Sequence, residues 1–423
     1  MRQTEEPGTT VTTLANGVRV VVLAMPGIGS ASVSVFVRTG SAHESARLNG
    51  ISHVVEHMAF KGTRTRDCQR INLDAERLGA EVNAHTDKDH TAYHMRGLAA
   101  HAPRFVRMLG DIVRESTFPE EELERERRVI LHEVADDEDD PLTIAFQLFD
   151  RASFGTHPAA QPVIGRRANI SRFTRDDLLG YVQRQYSGAN VVVGVAGDVD
   201  GPAVLAAAQA TFGSLPTGEE NTLTEPAWVG GVASKRLVGS SQTHVVIGYP
   251  IGALVDDDPV GPMAAAVLGE GMSSPLLDRI RERKGLAYHT HCSADVLGRW
   301  GQFVIEASTG PEHLDEFCTE VRKLLRAHAR GIDAVQLERA RNQLAVRALR
   351  SQEQPYRRVE EACLDLLFLG RVRPRAQSLA RLRRVSAARL AEAFGAMLAQ
   401  PVAAAVTGRL PRSAAQRVRE RLA

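Results

Sequence analysis

Three segments of this chain recur in the same order, close to half a chain apart. FVRMLGDIV, beginning at Phe105, shares its apolar spacing with FCTEVRKLL, beginning at Phe317. LERERRVILHEV at Leu123 aligns with LERARNQLAVRA at Leu337, and VVVGVAGDV at Val191 with AAAVTGRL at Ala403. The offsets are 212, 214 and about 211 residues. A nearly constant offset over ordered matches means that one unit is present twice. The 423 residues therefore have to form two similar halves, each long enough to bury its own core. Between them, residues 213–231 read GSLPTGEENTLTEPAWVGG, rich in Gly, Pro, Thr and Glu and without periodicity, as a linker does. The expected division is an N-terminal half over 1–213, a linker over 214–231 and a C-terminal half over 232–423.

Within the first copy, β-branched residues flank Asn16-Gly17, a pair suited to a type I′ hairpin turn because both central residues need positive φ. Strands are expected over 31–38, 80–84, 91–97 and 189–196, and helices over 50–60, 68–78, 101–116, 119–136 and 173–185.

Composition excludes some partners. Lys and Arg number 52 against 51 Asp and Glu, a formal net charge of +1, which gives no reason to expect nucleic acid or an anionic membrane surface. No apolar run reaches the 18 or so residues of a membrane-spanning helix. The opening MRQTEEPGTT lacks the layout of a secretory signal. Cys68, Cys292, Cys318 and Cys363 are scattered and form no CxxC, which fits a reducing compartment, so the cytoplasm is the expected location.

The informative segment is GISHVVEHMAFKGT, residues 50–63. On a helix, His53 and His57 share one face a turn apart, where both imidazoles reach one ion. Glu56 lies on the same side, giving the order H-x-x-E-H. Zinc accepts imidazole nitrogen and carboxylate oxygen in tetrahedral geometry and leaves a position for water. Glu56 would then be the general base toward that water. The plainer alternative is a surface helix with two unrelated histidines. Against it, these groups sit beside Val54, Val55 and Met58 on a helix that otherwise reads as buried, and buried ionisable groups need partners.

A catalytic zinc needs a third protein ligand. Glu133, with Glu126 two turns earlier on the same face of the 119–136 helix, is a candidate, set against the fact that most glutamates on such a helix face solvent. The repeat adds a contrast: where the first half has Glu126 and Glu133, the second has Ala340 and Arg347, and it carries no H-x-x-E-H.

These residues together, with Met58-Ala59-Phe60-Lys61-Gly62-Thr63 after the motif and Glu133 76 residues beyond His57, resemble the pitrilysin-type metallopeptidases. The likeness runs over nearly the whole chain and is greatest to the branch containing the β subunit of mitochondrial processing peptidase and its small bacterial relatives. It implies one zinc per chain held by His53, His57 and Glu133, with Glu56 as catalytic base and Glu126 supporting the site. Gly79-Ala80-Glu81-Val82-Asn83-Ala84-His85-Thr86 resembles the edge strand on which that family pairs an extended substrate through Asn83 and Ala84, a case of β-augmentation. Arg281 and Tyr288 resemble the family's Arg and Tyr pair near the scissile carbonyl; Phe60 is expected to form a wall of a side-chain pocket. Without the resemblance, Asn83 would read as a strand-end residue and Arg281 as a solvated one.

The expected fold is α+β, with two homologous halves, each a mostly antiparallel sheet packed against helices. In the family such halves close as a clamshell over a chamber that takes four of them, so this chain is expected to dimerise. Having both the ligands and the Arg/Tyr pair favours a homodimer and leaves a heteromeric partner open. The expected activity is zinc-dependent endopeptidase cleavage of short or unfolded peptides by a Glu-activated, zinc-bound water. Competing readings are a dedicated maturation protease for one peptide and a non-catalytic scaffold subunit. The acidic run 136–140, the histidines at 85, 90, 94, 132, 289 and 291 and the basic residues near the C-terminus read as ordinary surface or structural features.

Overall fold

The computed structural model describes residues 2–4 and 7–423. The strands assemble into two mixed sheets. The first comprises β1 (Arg2–Thr4), β2 (Thr9–Thr13), β3 (Arg19–Ala24), β4 (Ser30–Val37), β5 (Glu81–Thr86), β6 (Thr91–Leu98) and β7 (Val191–Gly197), in the order β1-β2-β3-β7-β4-β6-β5. The second comprises β8 (Gly231–Arg236), β9 (Thr243–Ile251), β10 (Ala287–Val296), β11 (Gly301–Thr309) and β12 (Ala403–Gly408), in the order β10-β11-β9-β12-β8. The stretch β3-β7-β4-β6-β5 repeats as β8-β12-β9-β11-β10. Strand sense agrees at every step, with β3–β7 and β8–β12 parallel and the other pairs antiparallel. The repeat in sequence is thus a repeat of topology, and the fold is α+β.

Each sheet is apolar on both faces, so each needs helices on both. Val191, Val193 and Val195 of β7 pack with residues of the helices Ile51–Ala59, Ala102–Arg114, Arg175–Gln185 and Gly201–Phe212. Val192 and Ala196 point the other way, to Val359, Cys363 and Leu366 of the helix Pro355–Leu369. Gly194 permits that approach, since a Cβ there would collide with Cys363 Sγ. In the second sheet Val246, Val304, Ala403 and Ala405 meet Ala145 and Phe149 of the helix Pro141–Phe154, and a Cβ on Gly248 would collide with the Phe149 ring.

The covering helices are exchanged. Residues 355–369, from the second half of the sequence, close the first sheet, and residues 141–154, from the first half, close the second. The two compact units are accordingly residues up to 134 with 162–223 and 349–374, and residues 135–161 with 224–348 and 375–423. They differ from the division at 214–231 because burial of a sheet face, and not continuity of chain, assigns these two helices. Residues 213–230 form neither helix nor strand but are fastened. Asn221 Nδ2 donates to the carbonyls of Arg38 and Gln185 at 2.8 and 3.0 Å, and Trp228 Nε1 donates to that of Pro401 at 2.7 Å.

One local expectation is corrected. The β2–β3 hairpin forms, but only Gly17 takes positive φ (93°), so its loop is not type I′. Asn16 is instead held by its side chain, which donates to the carbonyls of Phe212 and Leu215 at 2.9 and 3.0 Å. The acidic run ends in a cap: Asp140 accepts from the N–H groups of Leu142 and Thr143 at the start of the 141–154 helix.

Candidate metal centre

The H-x-x-E-H segment folds as the helix Ile51–Ala59, with Ile51, Val54, Val55, Met58 and Ala59 buried and His53, Glu56 and His57 only partly so. Its start is fixed from below. Gly50 has φ 101°, and a Cβ there would lie 2.8 Å from Gly165 Cα. Buried Glu44 accepts from Gly50 N at 2.7 Å, Ser52 N at 2.8 Å and Asn49 Nδ2 at 3.0 Å, placing a carboxylate at the helix N-terminus.

The two imidazole rings stand 4.6 Å apart between centroids. Glu133 Oε2, from the helix Glu120–Asp139, lies 3.9 Å from His53 Nε2 and 3.6 Å from His57 Nε2. One donor atom from each of the three fits within 4.8 Å of the others, and no other such trio of ligating groups occurs among the described residues. Glu126, two turns before Glu133, puts Oε2 3.1 Å from His57 Nδ1, while its Oε1 meets Lys61 Nζ at 2.6 Å. A carboxylate at Nδ1 directs the proton there and leaves Nε2 as a lone pair. Two imidazole nitrogens and one carboxylate match the protein donor set of a four-coordinate catalytic zinc. His53 Nδ1 is buried without a protein partner.

Electrostatics agree with neutral imidazole at His53, which burial and neighbouring His57 push down to about 4. Burial also pulls His57 down, but the hydrogen bond to Glu126 and the charges of Glu133 and Glu56 outweigh it and raise it. Burial raises Glu56 above the ordinary carboxylate range against a hydrogen bond from Thr86. Glu126 ends below its ordinary value: burial opposes this, but hydrogen bonds from His57 and Lys61 prevail.

Of the remaining expected residues, Asn83 and Ala84 lie on β5, the outermost strand of its sheet, where Asn83 Oδ1 accepts from Ala84 N at 2.8 Å. Phe60 caps the motif helix, half-buried, with its ring 6.3 Å from that of Tyr93. Arg281 and Tyr288 belong to the second unit, where the guanidinium lies 5.1 Å from the ring centre and Tyr288 is 84% exposed. The first unit thus gathers His53, Glu56, Phe60, His57, Asn83, Ala84, Glu126 and Glu133, and Arg281 and Tyr288 stand together in the other. Three contributors escaped sequence reading: Glu44 under the helix, Lys61 on Glu126, and Thr86, whose hydroxyl donates to Glu56 Oε2 at 2.6 Å. A faint signal existed for Thr86, which alternates with Ala84 along one strand. His85, His90 and His94 cluster on the Phe36 side of the sheet, with His85 Nε2 3.4 Å from His90 Nε2 and His90 Nδ1 bonded to Asp89 at 2.7 Å.

Comparison with known proteins adds the following. The family model described as insulinase (peptidase family M16) matches residues 19–167, and that described as peptidase M16 inactive domain matches residues 172–344. An uncharacterized zinc protease of Rickettsia felis is 30% identical over 368 residues, 86% of this chain and 89% of that one. One of Bacillus subtilis is 31% identical over 362 residues, 85% of this chain and 88% of that one. A crystal structure titled peptidase M16 inactive domain from Pseudomonas fluorescens superimposes with a TM-score of 0.87 at 19% identity, covering 95% of this chain and 98% of that one, a likeness of fold.

Proposed function

The chain belongs to peptidase family M16, and on that premise we propose that it is a zinc-dependent endopeptidase acting on short or unfolded peptides. The observation that carries the reading is the convergence of His53, His57 and Glu133 with Glu56 beside them on the motif helix. When bound there, zinc supplies Lewis acidity, which lowers the pKa of water and polarises a carbonyl. Glu56, half-buried and raised in pKa, is suited to take a proton from water and pass it to the leaving amine. Glu126 and Lys61 hold His57 in the tautomer that leaves Nε2 free.

The peptide would lie along the open side of β5. Ala84 N–H is held by the Asn83 side chain, and an incoming carbonyl would replace that bond. Pairing through backbone favours broad specificity, with Phe60 as a wall for one side chain. Arg281 and Tyr288 would steady the carbonyl oxygen, and enclosure of the substrate in a chamber would exclude folded proteins. Holding ligands and the Arg/Tyr pair in one chain favours a homodimer. Four free cysteines, and the absence among the described residues of any helix long and apolar enough to cross a membrane, accord with a cytoplasmic enzyme.

The test is hydrolysis of a panel of unrelated peptides by zinc-loaded protein, with and without chelator, beside Glu56→Gln. Chelator-sensitive cleavage of several peptides, lost in Glu56→Gln, is expected. Cleavage of one peptide alone would leave a dedicated maturase, and cleavage of none would overturn the reading.

A further inference from the structure

Thr86 ends β5 and meets Glu56 twice. Its hydroxyl donates to Glu56 Oε2 at 2.6 Å, and its backbone N–H faces the same carboxylate. No other side chain of the described residues donates a hydrogen bond to Glu56. The direction in which that N–H points follows from the hairpin. Asp87 N–H bonds the His90 carbonyl at 2.8 Å, and the pairing then runs Thr86 with Thr91, His85 with Ala92, Asn83 with His94. Antiparallel ladders alternate, so counting back from the Asp87 bond turns the backbone of His85 and Asn83 toward β6, and that of Thr86, Ala84 and Val82 toward the open edge. The Glu56 carboxylate therefore takes up the outward hydrogen-bonding position at Thr86, one outward position along from Ala84. Two residues of strand separate those positions by roughly 6.6 Å.

We propose that Thr86 is the positioning residue that ties the base to the strand on which the peptide is laid, so that pairing at Ala84 determines which carbonyl arrives at Glu56. The inference rests on the peptidase reading above and deepens it. A strand paired at Val82 and Ala84 cannot continue its ladder at Thr86, where the N–H is already engaged by Glu56, so the peptide leaves the edge at the base. The hydroxyl fixes Oε2, which turns the other carboxylate oxygen toward the water it must deprotonate. The backbone N–H alone leaves the carboxylate free to swing about one contact, and a displacement of 1 Å at a reacting group costs on the order of 10²-fold in rate.

Zinc-loaded wild type, Thr86→Val, Thr86→Ser and Glu56→Gln are to be compared on the same peptides, with zinc content measured for each. Valine keeps the β-branched shape and the backbone N–H but removes the hydroxyl. The expected result is a kcat lower by roughly 10- to 100-fold in Thr86→Val, with KM changed by less than about twofold, zinc content unchanged, and turnover restored by serine. A Thr86→Val kcat within about threefold of wild type, a loss confined to KM, a matching loss of zinc, or failure of serine to restore turnover overturns the inference. If Glu56→Gln turns over like wild type, or wild type cuts nothing, the peptidase reading falls and takes this inference with it. If Glu56→Gln is dead while Thr86→Val is unimpaired, only the role of Thr86 falls.

Discussion

The two halves share a strand order and use equivalent positions in opposite ways. At the place where the first half has Glu126, hydrogen-bonded to His57 and ion-paired to Lys61, the second has Ala340, fully buried in an apolar core. Where the first has Glu133 beside two imidazoles, the second has Arg347, paired to Glu270. The helix that follows β9, Val260–Gly269, is apolar nearly throughout, whereas the one serving the first half carries His53, Glu56 and His57. Since the second half builds the same sheet without any of these groups, the fold does not require them. Half-buried charges carry a desolvation cost, and the first half bears it at these positions where the second does not, which is what a site grafted on a scaffold looks like.

The largest effect should fall on turnover. Glu56→Gln is expected to lower it by about 10²- to 10⁴-fold, the usual range for a general base, with zinc content and melting temperature unchanged. At the counterpart of Glu133, Arg347→Ala should leave zinc content and turnover at the wild-type level. Loss of metal in Arg347→Ala would break the comparison outright.

Next in size is the exchange of covering helices, through which each sheet depends on the other half's sequence. Phe149→Ala, under the second sheet, should cost about 3–5 kcal/mol, and Leu366→Ala, under the first, about 2–5 kcal/mol in denaturant unfolding. For the same reason residues 1–213 expressed alone, lacking 355–369, should leave Val21, Phe36 and Val192 uncovered and fail to unfold cooperatively, with recovery when the other segment is supplied. Cooperative unfolding of the isolated segment would show that the helix is dispensable.

How much of this was legible in the sequence follows from the range of each signal. His53, Glu56 and His57 were legible because helical spacing alone places them on one side. Glu133 became legible through the duplication, as a carboxylate whose counterpart is Arg347. Lys61 and Thr86 were not, because each matters only through a partner fixed by tertiary structure: Glu126 lies 65 residues from Lys61, and Glu56 lies 30 from Thr86. The exchanged helices were invisible for the same reason, since amphipathic periodicity says that a face is buried and not against which sheet. Asn16 misled because its side chain found carbonyls at Phe212 and Leu215 that no local rule anticipates.

A smaller effect is expected at the support of the ligands. Glu126→Gln should weaken zinc binding about 10- to 100-fold, as removal of a partner behind a ligating histidine does. Competition with a chromogenic chelator measures it, and an unchanged affinity would mean that His57 needs no partner, as His53 already lacks one at Nδ1.

The smallest effect separates the two hairpin turns that close β5–β6 and β10–β11. Both are made alike, by Asp87 N–H to the His90 carbonyl at 2.8 Å and Leu297 N–H to the Trp300 carbonyl at 2.9 Å, and both end on a residue only 5% exposed. His90 can ionise and Trp300 cannot. Burial opposes the charged imidazole, but the hydrogen bond to Asp89 and the charges of Asp87 and Glu360 outweigh it, so the folded value lies above the ordinary 6.5. A raised histidine binds its proton more tightly in the folded state. Its contribution is therefore complete below pH 6.5 and is lost as pH rises through the folded value. In zinc-saturated protein, the stability difference between wild type and His90→Gln should shrink as pH is raised from below 6.5 into the alkaline range, whereas that between wild type and Trp300→Phe should stay level. Urea unfolding across that interval decides it. A His90→Gln difference that holds constant with pH would mean that the turn of the first half is as indifferent to protons as its counterpart.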